Sequence, residues 1–205
     1  TEDAQATARQ ILNGAAENEE AYLMLARTFK AQGDWQRALD LCIERLRVSS
    51  EPGFFFLASD LLWAQKEHRR ALSYFAAFMG LVPPHPTYYL QWAAALQAVG
   101  RTQEAIVRLE EGLRLLPPHG EMLYQLGNLH VETGHNEQAV QSYAAAAHSM
   151  PDHAGLHFNW GTALKSLNRL DEAEKTYRRA LQLDPQNAST RVNFAWMLHQ
   201  RGEID

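Results

Sequence analysis

Apolar residues recur at three- and four-residue spacings from Tyr22 to Phe29, Tyr89 to Leu96, Leu123 to His130 and His157 to Leu164. That is the periodicity of a helix with one buried face. Each run stops at a break in one register, Gly33, Gly100, Gly134, Asn168 and Gly202, with Lys66 as the departure. Glycine and asparagine accept the left-handed backbone conformation that ends a helix. A second amphipathic stretch follows each break, opened by cap-capable residues such as Asp34, Thr102 and Asn136 and closed before a proline. The connections are too short for anything but antiparallel neighbours, so the pattern predicts an all-α chain of helix pairs.

The pairs repeat. Pro83, Pro117, Pro151 and Pro185 stand 34 residues apart, as do Ala71, Ala105, Ala139 and Ala173, with Ala38 joining at a 33-residue step. A third column is small throughout: Ala26, Ser59, Ala93, Gly127, Gly161 and Ala195. An irregular helical bundle gives no reason for small, aromatic and proline columns to share one period, whereas stacked units that bury each other's faces require it.

These residues resemble the tetratricopeptide repeat family, whose pattern is W-x2-L-G-x2-Y, then A-x3-F, then P. It appears here as Leu123-x2-Leu126-Gly127-x2-His130 with Ala139-x3-Tyr143 and Pro151, and as His157-x2-Trp160-Gly161-x2-Leu164 with Ala173-x3-Tyr177 and Pro185. Looser matches run through Tyr22, Leu25, Ala26, Phe29, Ala38 and Cys42, then Phe55, Ala58, Ser59, Leu62, Ala71 and Phe75, then Tyr89, Trp92, Ala93, Leu96, Ala105 and Leu109. The resemblance implies an α-solenoid, a right-handed superhelix of antiparallel helix pairs. It divides the chain into whole repeats at 19–51, 52–85, 86–119, 120–153 and 154–187, with a lone second helix at 1–18 and a lone first helix at 188–205. Interrupted repeats at both ends raise the expectation of a fragment of a longer protein. Phe194, Trp196 and Met197 would then lie on a last helix without a partner, a route to self-association through the terminal helices.

In this family the first helices line the concave face. Two adjacent columns would therefore face a bound segment: Leu23, Phe56, Leu90, Tyr124, Phe158 and Val192, and beside it Met24, Leu57, Gln91, Gln125, Asn159 and Asn193. Asn128, one turn beyond Tyr124, and Trp63 extend the candidate set. The second column changes from apolar to amide midway. Amides carry both donor and acceptor and can hold an extended peptide backbone regardless of its sequence, much as in the asparagine ladder of the O-linked N-acetylglucosamine transferases, which this half resembles. Leu23, Met24, Phe56, Leu57 and Trp63 offer apolar anchor sites instead. Packing between neighbouring first helices is the competing account of Phe56 and Phe158. Family members that clamp a C-terminal carboxylate use a lysine where this chain has Leu, Phe, Tyr and Val, so an acidic tail is not expected. Arg27 and Lys30 form the one close basic pair on that side and read as a solvated pair.

Charge narrows the partners. Nineteen Lys and Arg against 24 Asp and Glu give −5, which disfavours a nucleic-acid groove; the pentatricopeptide RNA readers, of similar period, should be basic. Cys42 cannot form an internal disulfide and reads as a small core residue. It fits the cytosol and leaves a periplasm open. The richest apolar stretch, from Leu72 to Val82, falls short of the roughly 20 residues needed to span a bilayer, so no membrane insertion is expected. The N-terminus has no signal-like pattern.

His85, His119 and His153 repeat in register after the prolines. Helices stacked roughly 10 Å apart cannot bring them to a shared metal at about 2.0–2.1 Å, so they read as loop residues and no metal or cofactor is expected. No P-loop, HExxH, nucleophile elbow or dinucleotide-binding glycine motif occurs. Adjacent acidic residues such as Glu110-Glu111 and Asp171-Glu172 point in different directions from a helix. The expected function is a non-catalytic scaffold binding a peptide or partner protein in the concave groove; the alternative is a substrate-recognition arm of a larger enzyme, such as a glycosyltransferase. The alanine column should tolerate no bulk: Ala139→Leu is expected to cost about 1–3 kcal/mol by overpacking, and a melting temperature equal to wild type would contradict the packing.

Overall fold

The structure, a computed structural model, describes residues 18–201. The expected second helix over 1–18 lies outside the described residues save for Asn18, as does Gly202. The chain divides into two compact units, with the division along the sequence between Pro83 and Pro84. The first holds α1 (Glu19–Ala31), α2 (Trp35–Arg45), α3 (Pro52–Ala64) and α4 (His68–Met79). The second holds α5 (Pro86–Ala98), α6 (Thr102–Leu115), α7 (Gly120–Glu132), α8 (Asn136–Ala147), α9 (Ala154–Ser166), α10 (Leu170–Leu183) and α11 (Ala188–Gln200). No strand occurs among the described residues. The fold is an all-α helical repeat. Within the first unit α1 packs on α2, α2 on α3 and α3 on α4; within the second, α5 through α11 pack in the same sequential way.

Three residues join the helices of each pair, at 32–34, 65–67, 99–101, 133–135 and 167–169. All five turns close alike. The middle residue takes a left-handed conformation, with φ of 81° at Gly33, 65° at Lys66, 76° at Gly100, 78° at Gly134 and 59° at Asn168. The next residue's N–H then reaches a carbonyl five positions back, from Asp34 to Phe29, Glu67 to Leu62, Arg101 to Leu96, His135 to His130 and Arg169 to Leu164. Lys66 departs in residue type alone. Its Cβ strain, about 1–2 kcal/mol for a left-handed non-glycine residue, is outweighed by the closure the turn makes.

Helix starts differ from the expectation. Asp34 does cap α2, accepting from the Arg37 N–H at 3.3 Å, but Thr102 and Asn136 are already helical, and the residues before them make no side-chain cap. Thr102 instead donates its hydroxyl to Glu132 at 2.7 Å. The first helices are the better capped. Asn18 accepts from Ala21 N–H and Asn187 from Thr190 N–H, while Pro52 and Pro86 occupy first-turn positions where no N–H is needed. Two of the in-register histidines do the same work: His85 Nδ1 accepts from Thr87 N–H at 3.3 Å and His153 Nδ1 from Leu156 N–H at 2.9 Å.

The small columns are where paired helices touch. Ala38, Ala71, Ala105, Ala139 and Ala173 are all fully buried. A Cβ placed on Gly127 of α7 would lie 2.5 Å from Cε1 of Tyr143 on α8, and one on Gly161 of α9 would lie 2.9 Å from the Tyr177 ring on α10. Each glycine is the notch into which the partner helix sets its tyrosine. Gly112 of α6, outside the expected columns, receives Tyr89 and Met122 in the same manner, with contacts of 2.7 and 2.5 Å to an added Cβ. Cys42 is buried in the first unit's core, and burial pushes its thiol up to about 12, so it is an inert packing residue.

The last helix is less bare than expected. Met197 is fully buried, and Phe194 packs on Tyr177 with ring centroids 6.2 Å apart and has the Arg178 guanidinium over its ring. Trp196 and Val192 remain exposed.

Two outcomes follow from this packing. Gly127→Ala adds helix propensity worth roughly 1 kcal/mol but drives a methyl into the Tyr143 ring, so a net loss of about 1–2 kcal/mol is expected in urea unfolding; a gain in stability would show that the notch is slack. His130, 8% exposed, keeps Nδ1 buried without a partner among the described residues. Burial holds its imidazole below the ordinary 6.5, against the opposing pull of Glu110 and with a small push from His135. The unfolded chain therefore binds the proton more readily, and the stability contribution is whole above pH 6.5 and lost as pH falls through the lower folded value. Thermal unfolding followed from pH 7.5 to 5 should show this loss, and His130→Leu should flatten it; an unchanged slope in the variant would remove His130 as its source.

Candidate functional site

Each unit carries its own share of the candidate residues. In the first, α3 turns Leu57 into the core, where it is 5% exposed and packed among Ala58, Leu61 and Ala71. Leu57 is corrected from a surface anchor to a structural residue: Phe56 and Leu57 are about 100° apart around the helix, and the core claims the second. Phe56 is itself half-buried against Phe75 and Phe78, with centroids 6.1 and 5.2 Å away, and Trp63 lies 4.4 Å from the His68 ring. Packing accounts for both. Only Leu23 and Met24 keep an open aspect, lining a recess on α1 with Arg27 and Thr28. Lys30 is ion-paired with Asp60 of α3 rather than with anything a partner would bring.

The second unit holds a connected polar surface. Gln125 Nε2 donates to Glu121 Oε1 at 2.9 Å, and Asn128 Nδ2 to Gln125 Oε1 at 3.3 Å, both one turn apart on α7. Asn128 Oδ1 in turn accepts twice, from Tyr143 Oη of α8 and from Asn159 Nδ2 of α9, each at 2.9 Å. Asn159 also donates to Tyr124 Oη at 3.1 Å. Apart from that branch to Tyr124, the donors run from Tyr143 and Asn159 through Asn128 and Gln125 to the Glu121 carboxylate. Burial raises the phenols of Tyr124 and Tyr143 above their usual range, so both stay protonated. Tyr124 sits between the Tyr143 ring at 6.1 Å and the His153 ring at 5.0 Å.

The amides of the expected ladder are thus placed unequally. Gln91 on α5 is exposed. Gln125 and Asn159 belong to the chain just described. Asn193 on α11 is held at both ends, accepting from Lys165 Nζ at 2.7 Å and donating to the Ser189 carbonyl at 3.0 Å. Lys165, whose ammonium burial shifts downward, also lies 4.6 Å above the Trp196 ring. Phe158 packs on Tyr177 at 6.3 Å, and Val192 is exposed.

Between α5 and α7 lies a recess of about 320 Å³ lined by Leu90, Gln91, Ala94, Gln97, Glu121, Gln125 and Leu129, among others. Ala94, Gln97, Glu121 and Leu129 were missed by column reading. The signal was available: 90, 94 and 97, like 121, 125 and 129, are helical i, i+4, i+7 or i+8 sets, and following each column along its own helix finds them. Among the described residues, no group of three metal-ligating side chains converges and no helix is long and apolar enough to cross a membrane.

Two family models, both described as tetratricopeptide repeat, match residues 21–54 and 124–188. A search of curated proteins finds no match. Among solved structures, the fold is similar to that of YrrB, described as a TPR protein with an unusual peptide-binding site, at TM-score 0.76 and 17% identity over 93% of this chain and 98% of that one. A tetratricopeptide repeat protein from Parabacteroides merdae matches at TM-score 0.72 and 16% identity, covering 90% and 73% of the two chains. MamA from Desulfovibrio magneticus matches at 0.68 and 19%, covering 74% and 86%. With the in-register turns, the buried alanine column and the glycine notches, these matches place the chain in the tetratricopeptide repeat family.

Proposed function

We propose that the chain is a non-catalytic protein-interaction module and that its second unit holds an extended polypeptide segment along α5, α7, α9 and α11. The observation that carries this reading is the amide series Gln91, Gln125, Asn159 and Asn193, one per first helix at 34-residue intervals, beside the recess floored by Leu90 and Leu129. An extended backbone presents N–H and C=O groups that such amides match without regard to side chain, and an apolar floor supplies area that depends on the side chain. Asn128 and Tyr124 hold the Asn159 amide nitrogen, which restrains its rotamer; preorganised groups of this kind lose less entropy on binding. The fold likeness to YrrB supports a peptide as partner, and the acidic balance of the chain argues against nucleic acid.

A peptide-array screen tests the reading. Gln91→Ala combined with Asn159→Ala should weaken binding about tenfold across unrelated sequences, the loss of two hydrogen bonds each worth roughly 0.5–1.5 kcal/mol, while the circular dichroism melt stays cooperative. Binding equal to wild type in a folded double variant would refute the site.

A further inference from the structure

The recess between α5 and α7 combines an apolar floor with a one-sided electrostatic rim. Helix α5 contains no charged residue, and α7 contains two carboxylates, Glu121 and Glu132, and no lysine or arginine. Neither carboxylate is ion-paired among the described residues. Glu121 accepts only from the Gln125 amide, and Glu132 from the Gln97 amide at 2.5 Å and the Thr102 hydroxyl at 2.7 Å. Elsewhere the chain pairs its carboxylates readily: Glu104, Glu111, Glu172 and Glu174 each meet an arginine at 2.5–2.7 Å. The two unpaired carboxylates stand eleven residues apart on one helix, roughly 16 Å along its axis; Glu121 lines the recess, and Glu132 is tied to Gln97, which also lines it. Glutamines 91, 97 and 125 line it with neutral groups that accept hydrogen bonds as well as donate them.

We infer that this recess is a specificity pocket for a basic side chain of the bound polypeptide, lysine or arginine, whose methylene stem lies on Leu90 and Ala94, backed by the buried Leu129, and whose cationic head meets the Glu121 carboxylate. Long basic side chains have this division, an apolar stem and a charged tip. An acidic residue placed there meets Glu121 head-on, and an aliphatic one covers the floor but leaves the carboxylate unanswered. The polarised amide chain from Tyr143 and Asn159 through Asn128 and Gln125 ends on Glu121 and holds its carboxylate in position. This inference rests on the peptide-binding reading above and adds a charge preference to it.

The test uses the whole chain and short oriented peptide libraries carrying Lys, Arg, Leu or Glu at one fixed position, with mixed residues elsewhere. Wild type should favour Lys or Arg over Leu by about fivefold and over Glu by more, a preference that shrinks as salt is raised from 50 to 500 mM. Glu121→Gln keeps an acceptor for Gln125 and should bring the ratio of Lys or Arg binding to Leu binding down to about one; Glu121→Lys should reverse the preference toward Glu, a gain that misfolding cannot produce. If Glu121→Lys fails to melt cooperatively, Glu121→Gln decides alone. Equal binding of all four libraries by wild type, or a basic preference that survives Glu121→Gln, overturns the pocket while the peptide-binding reading stands. No binding of any library defeats that reading, and the pocket with it.

Discussion

The contact on which the architecture depends is the insertion of an aromatic ring from one helix into a gap in the next. Tyr143 enters the gap at Gly127, Tyr177 enters at Gly161, and Tyr89 lies against Gly112. Interiors pack as densely as organic crystals, so the absent Cβ is filled by ring atoms, and the alanines buried beside them keep the two helix axes close. A pair locked this way exposes the same surfaces each time, and sequential stacking follows from repetition.

The turns obey backbone rules more than side-chain rules. Gly33, Gly100 and Gly134 could be read directly from the sequence, and Asn168 by its tolerance of positive φ. Lys66 could not, because the six-to-one hydrogen bond from Glu67 to Leu62 imposes the geometry that residue type alone argues against. The helix starts erred in the opposite sense. Thr102 and Asn136 have cap chemistry but lie one residue too late, whereas His85 and His153, read as plain loop residues, place a ring nitrogen on free N–H groups. Periodicity locates a helix to within a turn, and cap identity needs the exact residue.

The candidate surface was legible as columns and incomplete as a site. Repeat register puts Gln91, Gln125, Asn159 and Asn193 in one column, because one position per repeat is what a period reports. It assigned Leu57 to the same column, although an apolar residue there is drawn into the core beside Leu61. It also omitted Glu121, Gln97 and Leu129, which join the surface through neighbours on the same helix and across to the next. Who bonds whom, as when Asn128 accepts from both Tyr143 and Asn159, depends on rotamers that no spacing encodes.

Tyr143 spans both levels. Its ring fills the interior gap at Gly127 and its hydroxyl ends in the polar chain that reaches Glu121. Foundation and façade therefore share a beam: a substitution that reshapes the interior at this pair also disturbs the amides bonded to it, so natural variation should be freer at Gln91, which stands outside the chain, than at Asn128, which is tied to the scaffold.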